Sequence, residues 1–441
     1  MNKIFIVVFS VLCLVLSFDN NSLYFSLKVY LTSVFIQIFS IVCIFSNSNR
    51  PFSLHKMLYL FSLFFLGFAP ILQFHSRSTF FGARLLDEDE YFFMNLLIIS
   101  ILFLYQFFYT IFTRLKLTDK NIAFIERLTL NRKLKLRQIL ILITLSLISF
   151  SIIFYINNFS MFSMLIRGGE FKEQVEDVES STMMLIVNQI IRPVSFISML
   201  YFISTKTKNI IAYILLLVLA LITCSPLGMP RFAAAAMYIP FFLILISFFR
   251  KKNVFSLILI LGLLVVFPFL DSFRHFSENS ETTIGLNTDM FNTGNFDSYQ
   301  NFALIVFENL VTWGRQLLGV FLFWVPRSIW PNKPIGSGAE LGENLNFSWT
   351  NVSANYFAEG YINFGYFGII LFTLAIAVFN AKMDNMYWRS AVNKSNNLFK
   401  VIYYILLGMI FFILRGDLLS SFAFTVGYLI SIFIVFKIAK S

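Results

Sequence analysis

The sequence predicts an all-α, polytopic membrane protein of about twelve transmembrane helices, with one large outer-face loop that contains an interfacial or re-entrant helix. Of its 441 residues, 58% are hydrophobic and only 13% are charged. The mean hydropathy of +0.77 far exceeds that of a soluble domain of this length. Apolar stretches of roughly 16 to 24 residues recur along the chain, and a helix of that length crosses about 30 Å of hydrocarbon.

Each apolar stretch ends at charged residues or at Asn, Ser and Gly, which sets the predicted bounds of the spans. The first stretch follows Met1-Asn2-Lys3 and has no small-residue cleavage pattern before Asp19, so it is predicted to be a span and not a removed signal peptide. The predicted spans are 4–18, 23–45, 57–73, 91–113, 138–157, 183–204, 210–224, 233–249, 254–270, 363–380, 401–414 and 418–436.

The distribution of charge predicts the orientation of these spans. With the N-terminus in the cytoplasm, most Lys and Arg fall in cytoplasmic segments and most acidic residues fall outside. The segment 114–137 alone carries eight basic residues. Because Lys and Arg near the ends of spans resist translocation, both termini are predicted to be cytoplasmic. The net charge of +11 is therefore a topology signal in short loops that face anionic lipid, and nucleic-acid binding is not expected.

One further apolar stretch, Ala303 to Trp324, is predicted not to cross the membrane. It carries Glu308 and Arg315, which would share one face of a continuous helix, and each charge at mid-bilayer costs about 2.5 to 3.5 kcal/mol on insertion scales. An outer-face interfacial or re-entrant helix leaves the topology consistent. The chain then divides into helices 1 to 9 (1–270), a large outer loop (271–362) and helices 10 to 12 (363–441).

The sequence gives no indication of a metal site or a disulfide framework. Cys13, Cys43 and Cys224 all fall inside or at the end of spans. Asp87 and Asp89 in Asp87-Glu88-Asp89-Glu90 have the Asp-x-Asp spacing that many nucleotide-sugar transferases use for a divalent metal. The run directly precedes a span, however, where acidic residues favour the helix dipole, and this is the preferred interpretation.

Candidate anion-binding residues are the cations predicted to face outwards. Arginine binds phosphate oxygens in a planar, bidentate way, although each of these residues could also be an ordinary loop charge. Arg192 is predicted to lie mid-span, where a charge must face protein or water, and a structural ion pair is an equal alternative. Asp417 could orient Arg415, and His275 could act as a general base. The candidates are Arg167, Arg192, Arg231, Arg274 with the adjacent His275, Arg327, Lys333, and Arg415 with Asp417.

Two stretches of the large loop have distinctive sequences. The first, Pro326-Arg327 through Trp330-Pro331-Asn332-Lys333-Pro334, is stiffened by proline and tryptophan, and its alternative interpretation is an interfacial anchor with snorkelling cations. The second, Ala358-Glu359-Gly360-Tyr361-Ile362-Asn363-Phe364-Gly365, presents a carboxylate that could accept a proton from a hydroxyl. Together with the helix number, the single large loop and Arg415-Gly416-Asp417, these stretches resemble bacterial oligosaccharide repeat-unit polymerases, the Wzy-type O-antigen polymerase family.

The resemblance implies a glycosyltransferase of the bacterial cytoplasmic membrane that acts at the outer face. It would transfer the growing glycan from one undecaprenyl diphosphate carrier onto a new carrier-linked repeat unit, with release of undecaprenyl diphosphate. The implied partners are these lipid-linked donor and acceptor glycans, the surrounding lipids, and a chain-length regulator and flippase. No cofactor is implied. Arg231, Arg327 and Arg415 would stabilise the diphosphate with help from Lys333, and Glu359 would orient or deprotonate the attacking hydroxyl.

Two other functions are compatible with the sequence. A flippase would move the same lipid-linked sugars, but transporters usually have internal repeats and several polar residues at mid-bilayer, whereas only Arg192 is predicted to lie deep. A ligase that transfers finished glycan to another acceptor would share the carrier, the topology and the large loop.

Overall fold

The structure, a computed structural model, describes residues 2–18, 24–46, 50–130, 133–166, 186–266, 288–389 and 397–440. These residues fold into helices joined by turns, and the first half of the chain contains eleven named helices. They are α1 (Asn2–Leu16), α2 (Leu27–Ser46), α3 (Leu54–Ser76), α4 (Glu88–Arg114), α5 (Asp119–Arg127), α6 (Leu136–Ile156), α7 (Met161–Leu165), α8 (Val187–Ile203), α9 (Ile210–Thr223), α10 (Arg231–Leu245) and α11 (Val254–Leu264).

The second half contains three short helices followed by three long ones. The short helices lie within residues 288–362 of the predicted outer loop, and the long helices follow them. They are α12 (Ser298–Phe307), α13 (Arg315–Phe321), α14 (Ser337–Asn344), α15 (Tyr356–Trp388), α16 (Leu398–Arg415) and α17 (Leu418–Lys440).

Seven helices, α2, α3, α4, α6, α15, α16 and α17, are long and apolar enough to cross a membrane. Five others, α1, α8, α9, α10 and α11, are apolar but only 10 to 17 residues long. Every span expected from the sequence overlaps one of these helices. The all-helical class is therefore confirmed, whereas twelve crossings stay a prediction.

Successive long helices run in alternating directions, which gives the bundle two distinct ends. The loop end carries α12 to α14, and the opposite end carries the turn between α15 and α16. Gln138, at the start of α6, donates to the backbone carbonyl of Ala439 near the end of α17 (2.8 Å). Phe5 and Phe9 of α1 stack on Phe45, which ends α2. Both chain termini therefore lie at the opposite end, in agreement with the alternation expected from the sequence.

Helix α16 is shared by the two main apolar cores. One side of it, including Tyr403 and Leu407, packs with residues of α2, α3, α4, α12 and α15. Its other side, including Ile405 and Met409, packs with residues of α6, α8, α9, α10 and α17. Gly408 of α16 lies against the backbone of Ala236 in α10, so these two helices approach closely.

A buried carboxylate joins four helices at the opposite end. Asp384 of α15 is fully buried and accepts hydrogen bonds from the hydroxyls of Tyr403 (2.6 Å) and Tyr109 (2.7 Å) and from the backbone amide of Leu54 (3.0 Å). The Arg50 guanidinium lies 4.0 Å from the same carboxylate and also donates to Tyr109 (3.0 Å). In the sequence this region is marked only by charge predicted to be cytoplasmic, and the network itself is not predicted.

The expected single helix over Ala303 to Trp324 is wrong. Helix α12 ends at Phe307, and α13 begins only at Arg315. Asn309, Trp313 and Gly314 in the intervening turn all have positive φ, which no continuous helix contains. Glu308 and Arg315 therefore do not share a helical face. Most of α12 is buried inside the protein, so it does not lie in an interface, and Glu308 pairs with Arg84 (3.0 Å).

We predict that Asp384→Ala lowers the thermal stability of the purified protein. The substitution leaves the Arg50 charge and the hydroxyls of Tyr109 and Tyr403 without their buried acceptor, which should cost about 3 to 5 kcal/mol. The measurement is thermal unfolding in detergent, with the exposed Glu126→Ala as the control. A melting temperature equal to that of the control would contradict this role for Asp384.

Candidate functional site

The loop end is organised by a sharp reversal inside α15. Phe364 (φ −149°, ψ 27°) and Gly365 (φ 59°, ψ −148°) interrupt the helical conformation, and the positive φ at Gly365 favours glycine. A Cβ on Gly360 would lie 2.8 Å from the carbonyl oxygen of Gly368, so residues 356–363 fold back against the continuing helix. The glycines of the Glu-Gly-Tyr-Ile-Asn-Phe-Gly stretch thus build a hairpin.

Polar side chains of the same stretch attach the hairpin to the rest of the loop end. The Asn363 side chain accepts from the backbone amide of Leu317 in α13 (2.7 Å). The Tyr361 hydroxyl lies 3.1 Å from the side-chain oxygen of Asn309, and the Thr312 amide donates to the Ile362 carbonyl (2.6 Å). These contacts tie the turn between α12 and α13 to the hairpin.

Glu359 lies where the beginnings of three helices meet. It occupies the first turn of α15, and only 1% of its surface is exposed. Its carboxylate accepts from the Ser337 hydroxyl at the start of α14 (2.9 Å) and from the Leu418 amide at the start of α17 (2.7 Å). Burial raises the pKa of the Glu359 carboxyl to about 8, although the hydrogen bonds from Leu418 and Ser337 at these helix starts act in the other direction. Both carboxylate oxygens are therefore occupied.

Asp417 lies beside Glu359 and caps α17. Its carboxylate accepts from the Ser420 amide (2.9 Å), and a Cβ on Gly336 would lie 3.0 Å from it. Burial raises the pKa of the Asp417 carboxyl above its ordinary value, although the hydrogen bonds from the helix start act in the other direction. Asp417 is thus engaged by its own helix.

Arg415 is paired with Asp297, and the proposed pairing with Asp417 is not the one found. The guanidinium lies 3.4 Å from the Asp297 carboxylate and donates to the Asn295 carbonyl (3.0 Å). Asp297 is 1% exposed and also accepts from the hydroxyl (2.6 Å) and the amide (3.0 Å) of Ser353. The Arg415 side chain is nevertheless 36% exposed. Arg415 is thus fixed in position while part of its guanidinium faces outwards.

Three cations converge on the segment 323–334, which we call the basic segment. Arg327 donates to the carbonyl of Lys333 (2.8 Å), and Lys333 donates to those of Phe323 (2.5 Å) and Val325 (3.0 Å). Arg315 donates to the Asn332 carbonyl (3.4 Å). Within the described part of the chain, none of the three forms an ion pair with a carboxylate. The basic segment therefore concentrates positive charge that the protein does not neutralise.

The electrostatics of Lys333 reflect this concentration. Its partial burial and the neighbouring Arg327 both lower the pKa of the Lys333 ammonium group. An anion bound between the two side chains would stabilise both positive charges and would reverse this shift. The arrangement is thus suited to a group with several negative oxygens, such as a phosphate or diphosphate.

Large apolar side chains surround the cations and are exposed. Trp313 is 80% exposed, Trp324 is 65% exposed and Ile329 is 75% exposed. On α13, Phe321 is 59% exposed and Leu318 is 50% exposed. Tryptophan beside Arg and Lys is typical of a membrane–water interface. The basic segment therefore combines concentrated positive charge with an exposed apolar surface that is compatible with lipid.

Arg231 and Arg192 lie on the second core, also at the loop end. Phe232, at the start of α10, stacks on Phe412, near the end of α16, with ring centroids 3.5 Å apart. The start of α10 therefore lies beside the end of α16, and Arg231 is at the same end of the bundle as Arg415. Arg192 donates to the Gly228 carbonyl (3.4 Å) in the turn that precedes Arg231. Arg192 therefore lies beside the turn between α9 and α10 at the loop end, and its position within the membrane stays a prediction.

The remaining candidates from the sequence have other positions. Arg167, Arg274 and His275 lie outside the described residues. Asp87 caps α4 in a reciprocal arrangement with Glu90, and Asp89 pairs with Lys28, which confirms the preferred interpretation of this acidic run. Among the described residues, no group of three or more His, Cys, Asp or Glu side chains could hold a metal ion. Cys13, Cys43 and Cys224 are free and buried.

Sequence reasoning did not identify three residues of this end. Asp297 is separated from Arg415 by 118 positions, and Ser337 is separated from Glu359 by 22. Nothing local in the sequence marks either side chain as a partner. The sequence places Arg315 in the expected interfacial or re-entrant helix and not among the candidate cations, although its position close before the basic segment is a usable signal.

The fold and the loop end together define a class: an all-helical chain with apolar helices of membrane-spanning length and an unneutralised basic surface at one end. No protein-family model, curated protein or solved structure matches the sequence or its fold. The function is therefore inferred from the loop end itself.

We predict that Glu359→Gln is tolerated and Glu359→Ala is not. Glutamine can still accept from the Leu418 amide and can donate to the Ser337 hydroxyl. Alanine leaves both groups buried without a partner, at a cost of about 1 to 3 kcal/mol each. Thermal unfolding in detergent measures the difference, with Ser337→Ala expected to fall between the two. Equal losses from glutamine and alanine would show that the negative charge, and not the hydrogen bonds, holds the three helices.

Proposed function

We propose that the protein polymerises undecaprenyl-diphosphate-linked oligosaccharide repeat units at the outer face of the bacterial cytoplasmic membrane. The observation that carries the proposal is the basic segment together with the adjacent Arg315: among the described residues, Arg315, Arg327 and Lys333 donate only to backbone carbonyls, and exposed tryptophans surround them. Such a surface matches the diphosphate of a lipid carrier, because the carrier presents negative oxygens at the depth where its isoprenoid chain enters the bilayer.

The proposed reaction places its main electrostatic demand on the leaving group. A hydroxyl at the non-reducing end of the new unit attacks the anomeric carbon of the growing glycan. The bond from that carbon to the diphosphate oxygen breaks, the hydroxyl proton is released, and undecaprenyl diphosphate leaves with increased negative charge. Cations fixed before the reaction stabilise that charge without reorganisation. Arg327 and Lys333 have this role, and Arg231 and Arg415 supply further positive charge at the same end.

Glu359 acts in this proposal as a positioning residue. Both of its carboxylate oxygens accept hydrogen bonds from the protein, so it fixes Ser337 and the start of α17 relative to the hairpin. Ser337 follows Pro334 by three residues, and the Pro334 carbonyl accepts weakly from Arg327 (3.5 Å). Glu359 therefore determines the position of the basic segment, and the attacking hydroxyl is not assigned to it.

The orientation of the protein follows from charge. Both termini lie at the end opposite the loops. The loops at that end are rich in Lys and Arg and are predicted to stay in the cytoplasm. The loop end is then the outer face, where exported lipid-linked units are available. Twelve crossings accommodate this arrangement, with the five shorter apolar helices as the remaining spans.

Deletion of the gene tests the proposed function directly. We expect single repeat units to accumulate on the carrier or on the lipid core at the outer face, with long chains absent, because assembly and export continue. The measurement is electrophoresis of the surface glycan combined with leaflet-resolved analysis of the lipid-linked units. Accumulation only on the inner leaflet would instead indicate a flippase, and long chains that remain on the carrier would indicate a ligase.

The second test assigns the cations. Arg327→Ala is predicted to reduce the rate of polymer formation by about 10²- to 10³-fold, the range for loss of one electrostatic stabiliser. Arg327→Lys should recover only part of the rate, because it keeps the charge but loses the planar fork. Glu359→Gln should stay within about threefold of wild type, whereas loss of a general base would cost about 10²-fold or more.

The matched control for these variants is Arg137→Ala, which removes an exposed arginine at the opposite end. All variants are compared at equal protein level, in a reconstituted assay with purified lipid-linked units. A normal rate for Arg327→Ala would remove the basic segment from the reaction. A loss of about 10²-fold or more for Glu359→Gln would restore Glu359 as the base.

A further inference from the structure

A second potential binding site lies at the loop end, on the side formed by α2, α3 and α4. It is a cavity of about 270 Å³, smaller than the roughly 300 to 1,000 Å³ of pockets for drug-sized ligands. Its walls include Tyr24, Phe25, Arg77, Asp87, Glu88 and Tyr91. None of these residues belongs to the contacts that hold Glu359 or the basic segment. The volume suits one ring of a small polar ligand.

Arg77 supplies hydrogen-bond donors to this cavity. Its Cζ lies 3.6 Å from the centroid of the Tyr24 ring, so the guanidinium is stacked on the aromatic face. Within the described residues its guanidinium donates to no protein acceptor, and the side chain lines the cavity. Arg77 also ends α3 in a left-handed conformation (φ 49°), which is uncommon for a residue with a side chain.

Two carboxylates of the lining supply acceptors. One Asp87 oxygen accepts from the Glu90 amide (2.8 Å), which leaves the other available. Glu88 accepts from the Ser26 hydroxyl (2.7 Å) and pairs with Lys28 (3.2 Å) through a single oxygen. The lining of the cavity therefore combines donors, acceptors and the aromatic rings of Phe25 and Tyr91.

This combination discriminates between classes of ligand. Glu88 is paired with Lys28, but the Asp87 carboxylate disfavours a phosphate or another strong anion by like-charge repulsion. The unpaired guanidinium disfavours a purely apolar ligand, because its donors would lose water without replacement. A neutral ring with several hydroxyl groups satisfies both the donors and the acceptors, since each hydroxyl both donates and accepts.

We infer that this cavity binds one neutral sugar ring of the acceptor repeat unit. The inference rests on the proposed function for the source of the sugar. A chain of contacts connects the cavity to the basic end: Gln73, which also lines the cavity, donates to the Phe296 carbonyl (3.0 Å), and the next residue, Asp297, holds Arg415. A sugar held here is therefore connected through Gln73 and Phe296 to Asp297, which fixes Arg415, one of the arginines proposed to bind the diphosphate.

The test measures binding of two probes to the purified full-length protein in detergent. The first probe is the oligosaccharide released by mild acid from the lipid-linked units of the deletion strain, and the second is inorganic pyrophosphate. Arg77→Ala should weaken binding of the oligosaccharide by about tenfold or more and leave pyrophosphate binding unchanged. Arg327→Ala should show the reverse pattern, and Arg137→Ala should change neither.

Asp87→Asn is the second variant, because asparagine caps a helix as well as aspartate does while it weakens the acceptor. It should also reduce oligosaccharide affinity without an effect on pyrophosphate. If Arg77→Ala loses both probes through misfolding, Asp87→Asn decides the question. Wild-type oligosaccharide affinity in Arg77→Ala or in Asp87→Asn overturns the inference.

The outcomes also separate this inference from the proposed function. Suppose that Arg77→Ala weakens oligosaccharide binding but the deletion strain still makes long chains. This result supports the sugar site and overturns the polymerase. Long chains that depend on the gene, together with sugar affinity that does not depend on Arg77 or Asp87, support the polymerase and overturn the sugar site.

Discussion

The loop end depends on one constraint: buried donors at the beginnings of three helices need acceptors, namely the Ser337 hydroxyl of α14 and backbone N–H groups of α15 and α17. A buried N–H without an acceptor costs more than most single contacts contribute. Asn355, Glu359 and Asp417 provide these acceptors, and Glu359 serves two helices besides its own. The hairpin at Gly365 brings Glu359 to this position, so the reversal, the three helix starts and the basic segment form one interdependent unit.

The structure separates the cations of the loop end into two kinds. Arg415 has a buried carboxylate partner, Asp297, which fixes the arginine and reduces its field. Arg315, Arg327 and Lys333 are held by backbone carbonyls, which orient the side chains but do not cancel their charge. In low dielectric surroundings this difference determines how strongly a site attracts an anion. A site that must bind a diphosphate and later release it can combine both kinds, with paired cations for geometry and unpaired cations for attraction.

The sequence predicted the features that depend on local composition and did not predict those that depend on distant pairs. Apolar length was sufficient to locate the helices, and Asp87 with Glu90 was correctly interpreted as a helix start, because a capping pair is local. The separation of Glu308 from Arg315 was missed, because periodicity alone does not reveal that Asn309, Trp313 and Gly314 adopt positive φ. Asp297 with Arg415 and Asp384 with Tyr109 join residues more than 100 positions apart, and a single sequence carries no record of such proximity.

The position of α16 between the two cores has a mechanical consequence. A helix that is packed on both sides cannot slide without breaking two sets of contacts, and close packing makes cores resist continuous deformation. The two halves of the bundle can therefore change their relation most easily by pivoting about the axis of α16. Arg415 stands at the end of that axis, where a pivot moves it least. It is thus a fixed reference point against which Arg231 on one half and the basic segment on the other can approach or withdraw.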